Sequence, residues 1–424
     1  MRTNSKRTRV IWAVLPLMAL ISGCLSTGTD SKEQESRQRD AEEQSVKVVT
    51  KKAKEGKLGA QLTLGKMYFE GEVTEQDDSK AVKWFRRAAE AGNSAAQFNL
   101  GLCYDLGRGV EQDDDAALQW YRKAAEQDAL QAQLNAGIIL DRRDEQESAF
   151  QYLKMAADSG YLPAKRNVAQ RYLEGVGVAQ NEREAARLFK EAAQAGDAES
   201  QVALAKLFQE GRGVSQSVGE MVDWLWLAAE NGNPEGQTRL AYCYMNGVGM
   251  PRDRSLAVKW YKRAADQDYP PAQVAYGNCL IEGTGVARNE AEAVKWHEKA
   301  AQSDDPLGQF SMGIAYLTGR GVDEDPKKAE EWLRASAEQG YAQAQFHLGT
   351  LYEEGEEGLS KDPAKAFELY RKAASQDNAR ACAALGRCYL HGIGTEVNRE
   401  KARRYLSIAA DMGMSEAAEM LENM

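Results

Sequence analysis

From Ala60 onward the chain repeats itself. Units begin at Ala60, Ala96, Ala132, Ala164, Ser200, Gly236, Ala272, Gly308, Ala344 and Ala381, a spacing of 36 residues broken only by one unit of 32 and one of 37. Such a period is too short for a domain and too regular for chance, so it predicts an array of identical supersecondary units. Each unit opens with apolar and small residues at helical spacing: Ala96, Leu100, Gly101 and Tyr104 in the second repeat Ala60, Leu64, Gly65 and Tyr68 in the first. This predicts a helix, helix A. A glycine eleven residues into nearly every unit, such as Gly107 or Gly211, ends it with a left-handed cap. A second glycine two residues on, such as Gly109 or Gly213, makes a tight loop into helix B, which carries Ala117, Trp120, Ala124 and Ala125 on one face. Tryptophan recurs at that place six times, at positions 84, 120, 224, 260, 296 and 332.

One such hairpin cannot bury its own apolar stripe, but stacked hairpins can. The small residues let helix backbones approach, and each tryptophan or tyrosine is expected to fill the gap against the next hairpin. The prediction is an all-α solenoid of about ten helix-turn-helix units over residues 60–413, preceded by a half-repeat helix at 46–59 and closed by a capping helix at 414–424. The third unit departs from the pattern. Its Ile138-Ile139-Leu140 is followed by Asp-Arg-Arg-Asp-Glu-Gln-Glu with neither glycine, which leaves open either a bend in the array or a harmless loop variation. The ninth unit has one extra residue and lacks the second glycine in register.

The pattern Leu-Gly-x-x-Tyr, Gly-x-Gly-Val, Ala-x-x-Trp, Ala-Ala resembles the Sel1-like repeat, a relative of the tetratricopeptide repeat. The resemblance implies a right-handed α-solenoid that acts as an interaction platform, with a protein or peptide as partner. By register with tetratricopeptide repeats, the concave wall is expected at helix A positions two, six, nine and ten of each unit. Position two is mostly apolar, with Val202, Val274, Phe310 and Phe346 the candidates singled out; position ten is often acidic, as at Glu174, Glu210 and Glu282. A glutamate in the last turn of a helix opposes the helix dipole, so local helix stability does not explain its recurrence. Two readings stay open. In one, these residues form an acidic and apolar groove for a basic or amphipathic segment; in the other, position two packs inside the repeat and the glutamates are a solvated rim.

The first 24 residues point to export. Arg2, Lys6, Arg7 and Arg9 precede an apolar run from Val10 to Ile21 that is too short to span a bilayer, and Ser22-Gly23-Cys24 closes it. The ending resembles the lipobox of bacterial lipoproteins, which implies removal of residues 1–23 as a signal peptide and acylation of Cys24. Several acyl chains on one residue would hold a protein at a membrane surface without spanning it. Leu25 stands where many such lipoproteins carry an inner-membrane retention Asp, so the resemblance leans to the outer membrane, facing the periplasm. Residues 24–45 read as a solvated tether. The formal net charge is −10, and the leader carries four basic and no acidic side chains, leaving about −14 after its removal. That balance disfavours nucleic acid as a partner.

No catalytic constellation emerges. There are three histidines, His297, His347 and His391, each in a different unit, and no HExxH, GxSxG, SxxK or phosphate-binding loop. Cysteine-rich relatives of the Sel1-like group staple helix A to helix B, whereas here Cys103, Cys243, Cys279 and Cys388 share one helix A position with no mate in helix B. Cys382 and Cys388 lie too far apart along one helix for a disulfide. The cysteines are expected to be small buried fillers. Neither an enzyme, nor a cofactor, nor a metal site is expected; a scaffold or adaptor is, with an accessory or weakly enzymatic, peptidoglycan-binding protein of cell-wall metabolism as the alternative.

Overall fold

The computed structural model describes residues 43–355 and 360–424. The expected signal peptide, Cys24 and nearly all of the expected tether lie outside the described residues, as does part of the irregular ninth loop. The described residues form 22 helices and no strand, which makes the all-α solenoid of repeats the observed fold class. The first helix runs over 43–54, beginning three residues before the expected half repeat. The last, Ser415–Glu422, is the short closing helix. Two compact units are formed, one ending at Arg143 and the other beginning at Asp144, so the division falls inside the shortened loop of the third repeat.

Most units cap their helices in the same way. Helix B of the second repeat, Asp114–Ala125, starts where the Asp113 carboxylate accepts from the Asp115 and Ala116 amides, and it carries acids in its first turn and Arg122 and Lys123 in its last. Both features compensate the helix ends. Helix A, Ser94–Leu106, stops at Gly107 with φ 65°, whose amide donates to the Cys103 carbonyl. The turn from helix B into the next helix A needs another left-handed residue, supplied by glycine in some repeats and by aspartate in others, such as Asp128 with φ 59°. Aspartate tolerates this backbone better than most side chains.

Packing inside a hairpin rests on the helix A glycine. A Cβ on Gly101 would sit 2.8 Å from the Tyr121 ring, so the absence of a side chain lets the aromatic of helix B lie on the helix A backbone. Between repeats, three devices recur that periodicity alone does not predict. First, a buried glutamine follows the opening residue in eight of the ten units, the fourth having Lys165 instead. The Nε2 of Gln97 donates to the Ala89 carbonyl at 3.2 Å, that of Gln201 to Ala193 at 3.0 Å, and that of Gln237 to Ala229 at 3.1 Å. Each thereby satisfies a carbonyl at the end of the preceding helix B. In the tenth repeat Cys382 holds that place, with its sulfur 3.9 Å from the Ala374 carbonyl. Second, the second loop glycine touches the preceding hairpin: a Cβ on Gly213 would collide with the Glu182 carbonyl and stand 3.0 Å from the Arg183 nitrogen. Third, an arginine beside that glycine pairs with an acid at the start of the preceding helix B, as Arg108 does with Asp78 at 2.6 Å and Arg212 with Glu182 at 2.8 Å. The third repeat lacks the glycine but keeps the ionic device, with Arg142 bound to Asp105 at 2.6 Å and Arg143 to Asp115 at 2.7 Å.

The tryptophans face the opposite way from the expectation. Trp84 packs with Ala53 and Leu64, Trp120 with the cluster of Phe85 and Leu100, and Trp332 with Val294 and Met312. Each covers the hairpin before it. The reason is that the neighbouring helix B residue, Phe85 or Tyr121, already occupies the side toward the repeat's own helix A glycine and the next repeat. The cysteines are as expected: Cys103, Cys243, Cys279, Cys382 and Cys388 are buried free thiols, and burial pushes Cys103 and Cys388 up to about 12.

His297 takes the place of the aromatic knob in the seventh repeat, lying on Gly277 with 1% of its surface exposed. Neither ring nitrogen makes a well-formed hydrogen bond. Burial lowers its pKa from the ordinary 6.5 to about 4, with only a backbone contact to Val274 acting the other way. The neutral ring is therefore favoured by folding: its stability contribution is complete above pH 6.5 and is lost as pH falls toward 4, because the unfolded chain binds the proton first. About 3 kcal/mol is at stake. Replacing His297 by Tyr, the residue at the same place in Tyr121 and Tyr261, is expected to flatten the melting temperature between pH 6.5 and 4; an unchanged pH profile would contradict this assignment.

Candidate functional site

The exposed side of the helices A is where position two and position ten come to the surface. In the second compact unit it has two characters. Across the fourth to sixth repeats it is charged and internally paired. Arg166 binds Asp197 at 3.0 Å and Glu199 at 2.5 Å, while Lys206 and Arg239 both donate to Glu235 at 2.8 Å. Burial works against the Glu235 carboxylate, but the bonds from Lys206 and Arg239 outweigh it and hold its pKa below the ordinary carboxylate range. A shallow depression here is lined by Leu173, Val202 and Leu207 together with Gln170, Lys206 and Glu210.

Helix A of the eighth repeat carries no charge, and those of the seventh and ninth carry charge only at their C-terminal ends, as Glu282, Glu353 and Glu354. Ile281, Ile314 and Leu317 are half-buried, and Leu307 is exposed. Phe310 and Phe346 flank His347, with ring centroids 5.5 and 5.3 Å from it; Phe310 also meets Tyr341 at 5.3 Å and Phe346 meets Tyr370 at 5.8 Å. Burial, helped by Arg380, lowers the His347 pKa, so the ring between the two phenylalanines is neutral at physiological pH. Nothing in the sequence marked His347 as part of this cluster, because the residue at its position in other repeats is small or polar.

The seven candidates thus separate. Glu174, Glu210 and Glu282 are exposed, but none is a bare charge. The Gln170 amide donates to Glu174, Arg212 lies 3.6 Å from Glu210, and the Thr284 hydroxyl donates to Glu282 at 3.1 Å. Val202 and Val274 are corrections: only 3% and 1% of their surfaces are exposed. A valine at position two is too short to reach past the neighbouring helices, whereas phenylalanine projects, and Phe310 and Phe346 are half-buried. Val202 and Glu210 meet in the depression; Phe310 and Phe346 meet around His347; Glu174 and Glu282 join neither group. Cys24 lies outside the described residues. No group of three or more His, Cys, Asp or Glu side chains could hold a metal among the described residues.

Comparison with known proteins agrees with this geometry. The family model described as Sel1 repeat matches ten segments: 59–93, 94–128, 134–161, 162–197, 198–233, 234–269, 270–305, 306–341, 342–378 and 379–414. Among solved structures, c5321, a protective antigen present in uropathogenic Escherichia coli strains and displaying an SLR fold, is 32% identical, with 89% of this chain and 81% of that one covered at a TM-score of 0.65. A Sel1 repeat protein from Oxalobacter formigenes is 26% identical, with 80% of this chain and 89% of that one covered at a TM-score of 0.52. No curated protein sequence matches the chain.

Proposed function

This chain belongs to the Sel1 repeat family, whose repeats serve generally as scaffolds for protein–protein interaction, and from that premise we propose that it holds a protein or peptide segment along the exposed side of its helices A. The observation that carries the proposal is the neighbourhood of exposed glutamates and a nearly uncharged aromatic and aliphatic tract on one side of consecutive repeats. That pairing suits an amphipathic segment with basic residues: the carboxylates attract it, and Phe310 and Phe346 supply apolar area. The segment would lie across several repeats, because each repeat offers only a side chain or two.

The lipobox-like ending at Cys24 places this scaffold, in our reading, at the bacterial envelope, anchored by acyl chains and facing the periplasm from the outer membrane. Replacing Cys24 by Ala is expected to abolish labelling by radioactive palmitate and to release the processed chain from membranes. Membrane retention of a processed Cys24→Ala chain after alkaline washing would contradict the anchor. The alternative is a cell-wall accessory protein that binds peptidoglycan fragments. A pull-down from envelope extracts separates the two: a protein retained in stoichiometric amount supports the scaffold, and muropeptides without protein support the alternative.

A further inference from the structure

Helix B of the fifth repeat, Val218–Glu230, differs from every other helix B in the chain. It contains no lysine or arginine, and its solvent side carries Trp226 and Leu227, 47% and 38% exposed, among Glu220, Asp223 and Glu230. At the place of Trp226 most other repeats have a cation, such as Arg86, Arg122, Lys190 or Lys262, while the seventh has Glu298 and the tenth Ser407. At the place of Leu227, Arg87, Lys123, Arg263 and Lys299 lie over the tryptophan three residues before them, at 4.9, 4.2, 4.6 and 4.2 Å from its ring centre. The fifth repeat breaks that arrangement. No cation lies over Trp224 or Trp226 among the described residues, and Glu220, Asp223 and Glu230 make no ion pair there.

We propose that this aromatic and acidic face of the fifth helix B is a second docking surface, separate from the helix A side, for a peptide segment presenting arginine or lysine side chains. The occupant follows from charge complementarity. Residues 223, 226, 227 and 230 share one helical face, so a guanidinium can stack on the Trp226 ring while Asp223 and Glu230 accept its hydrogen bonds. Four other repeats hold the same kind of contact within the chain, with their own arginine or lysine over tryptophan, whereas this helix has neither lysine nor arginine to supply one. Here the cation must come from a partner. A membrane surface fits less well, since three carboxylates surround the apolar residues, and exposed large apolar side chains clustered in this way mark contact sites.

The test is a fluorescence-anisotropy titration of labelled octa-arginine into the full chain. It is run in the Glu174→Gln/Glu210→Gln/Glu282→Gln background, so that failure of the helix A reading and failure of this one are distinguishable. Adding Trp226→Ala and Leu227→Ala, which removes no charge, is expected to weaken binding about tenfold while leaving the salt dependence and the melting curve unchanged. Asp223→Asn with Glu230→Gln is expected to weaken binding and reduce the salt dependence. Equal affinity with and without the alanine pair would overturn the proposal. So would a dimer in sedimentation velocity, or retention on phosphatidylcholine vesicles, that the alanine pair abolishes, since the face would then serve a second copy or a lipid surface.

Discussion

Replacing Gly213 by Ala is expected to destabilise the fourth and fifth repeats by about 2–5 kcal/mol, combining the cost of a side chain at positive φ with that of overpacking. Gly213 has φ 68°, and its missing side chain leaves room for the Glu182 carbonyl of the preceding hairpin. Gly196 is the control, because its φ is 94° but nothing lies within 4 Å of a Cβ built there. Gly196→Ala should therefore cost only the backbone part, about 1–2 kcal/mol. Thermal melting of both variants checks this. Equal losses at the two sites would mean that the loop glycine serves its own turn alone and does not set the distance between repeats.

Trp260→Ala is expected to cost about 3–5 kcal/mol as deletion of a core aromatic. The ring is 6% exposed, lies in the cluster with Leu225, Ala229 and Tyr261, and carries Arg263 at 4.6 Å on its outer side. Because stacked repeats couple mainly to their neighbours, the loss should appear as local opening of the fifth and sixth repeats in hydrogen exchange. Uniform loss of protection throughout the second compact unit would argue that it unfolds as one block.

These two residues also mark what the sequence could convey. The period, the glycine caps and the apolar spacing suffice for the helix boundaries and for the burial of Cys103 or Leu100, since an inward residue is buried whichever hairpin covers it. The direction of Trp260 is not in the pattern. Periodicity tells which side of a helix turns inward, but the competition between Trp84 and Phe85 for the two sides of a hairpin is settled only by the glycine on which Phe85 lies. The same holds at position two: valine and phenylalanine read alike as apolar, yet Val202 and Val274 are covered while Phe310 and Phe346 project. The glutamines at 97, 201 and 237 escape a reading of the sequence, because their role depends on a carbonyl eight residues back that only folding brings near. The acidic row was legible as charge, and its partners were not, because Gln170 one turn before Glu174, and Arg212 and Thr284 in the loops beyond Glu210 and Glu282, reach them through rotamers that the sequence does not specify.

Binding kinetics of the partner retained from envelope extracts, measured beside thermal melting, test the central claim most directly. Charge sets the rate of encounter and apolar burial sets the residence time. The Glu174→Gln/Glu210→Gln/Glu282→Gln chain is expected to associate more slowly, with a flatter salt dependence and an unchanged melting curve, since exposed charges contribute little to stability. Phe310→Ala with Phe346→Ala is expected chiefly to speed dissociation. Unchanged association by the glutamine variant, or phenylalanine variants that lose binding only in proportion to a lowered melting temperature, would contradict a partner seated on the helix A side.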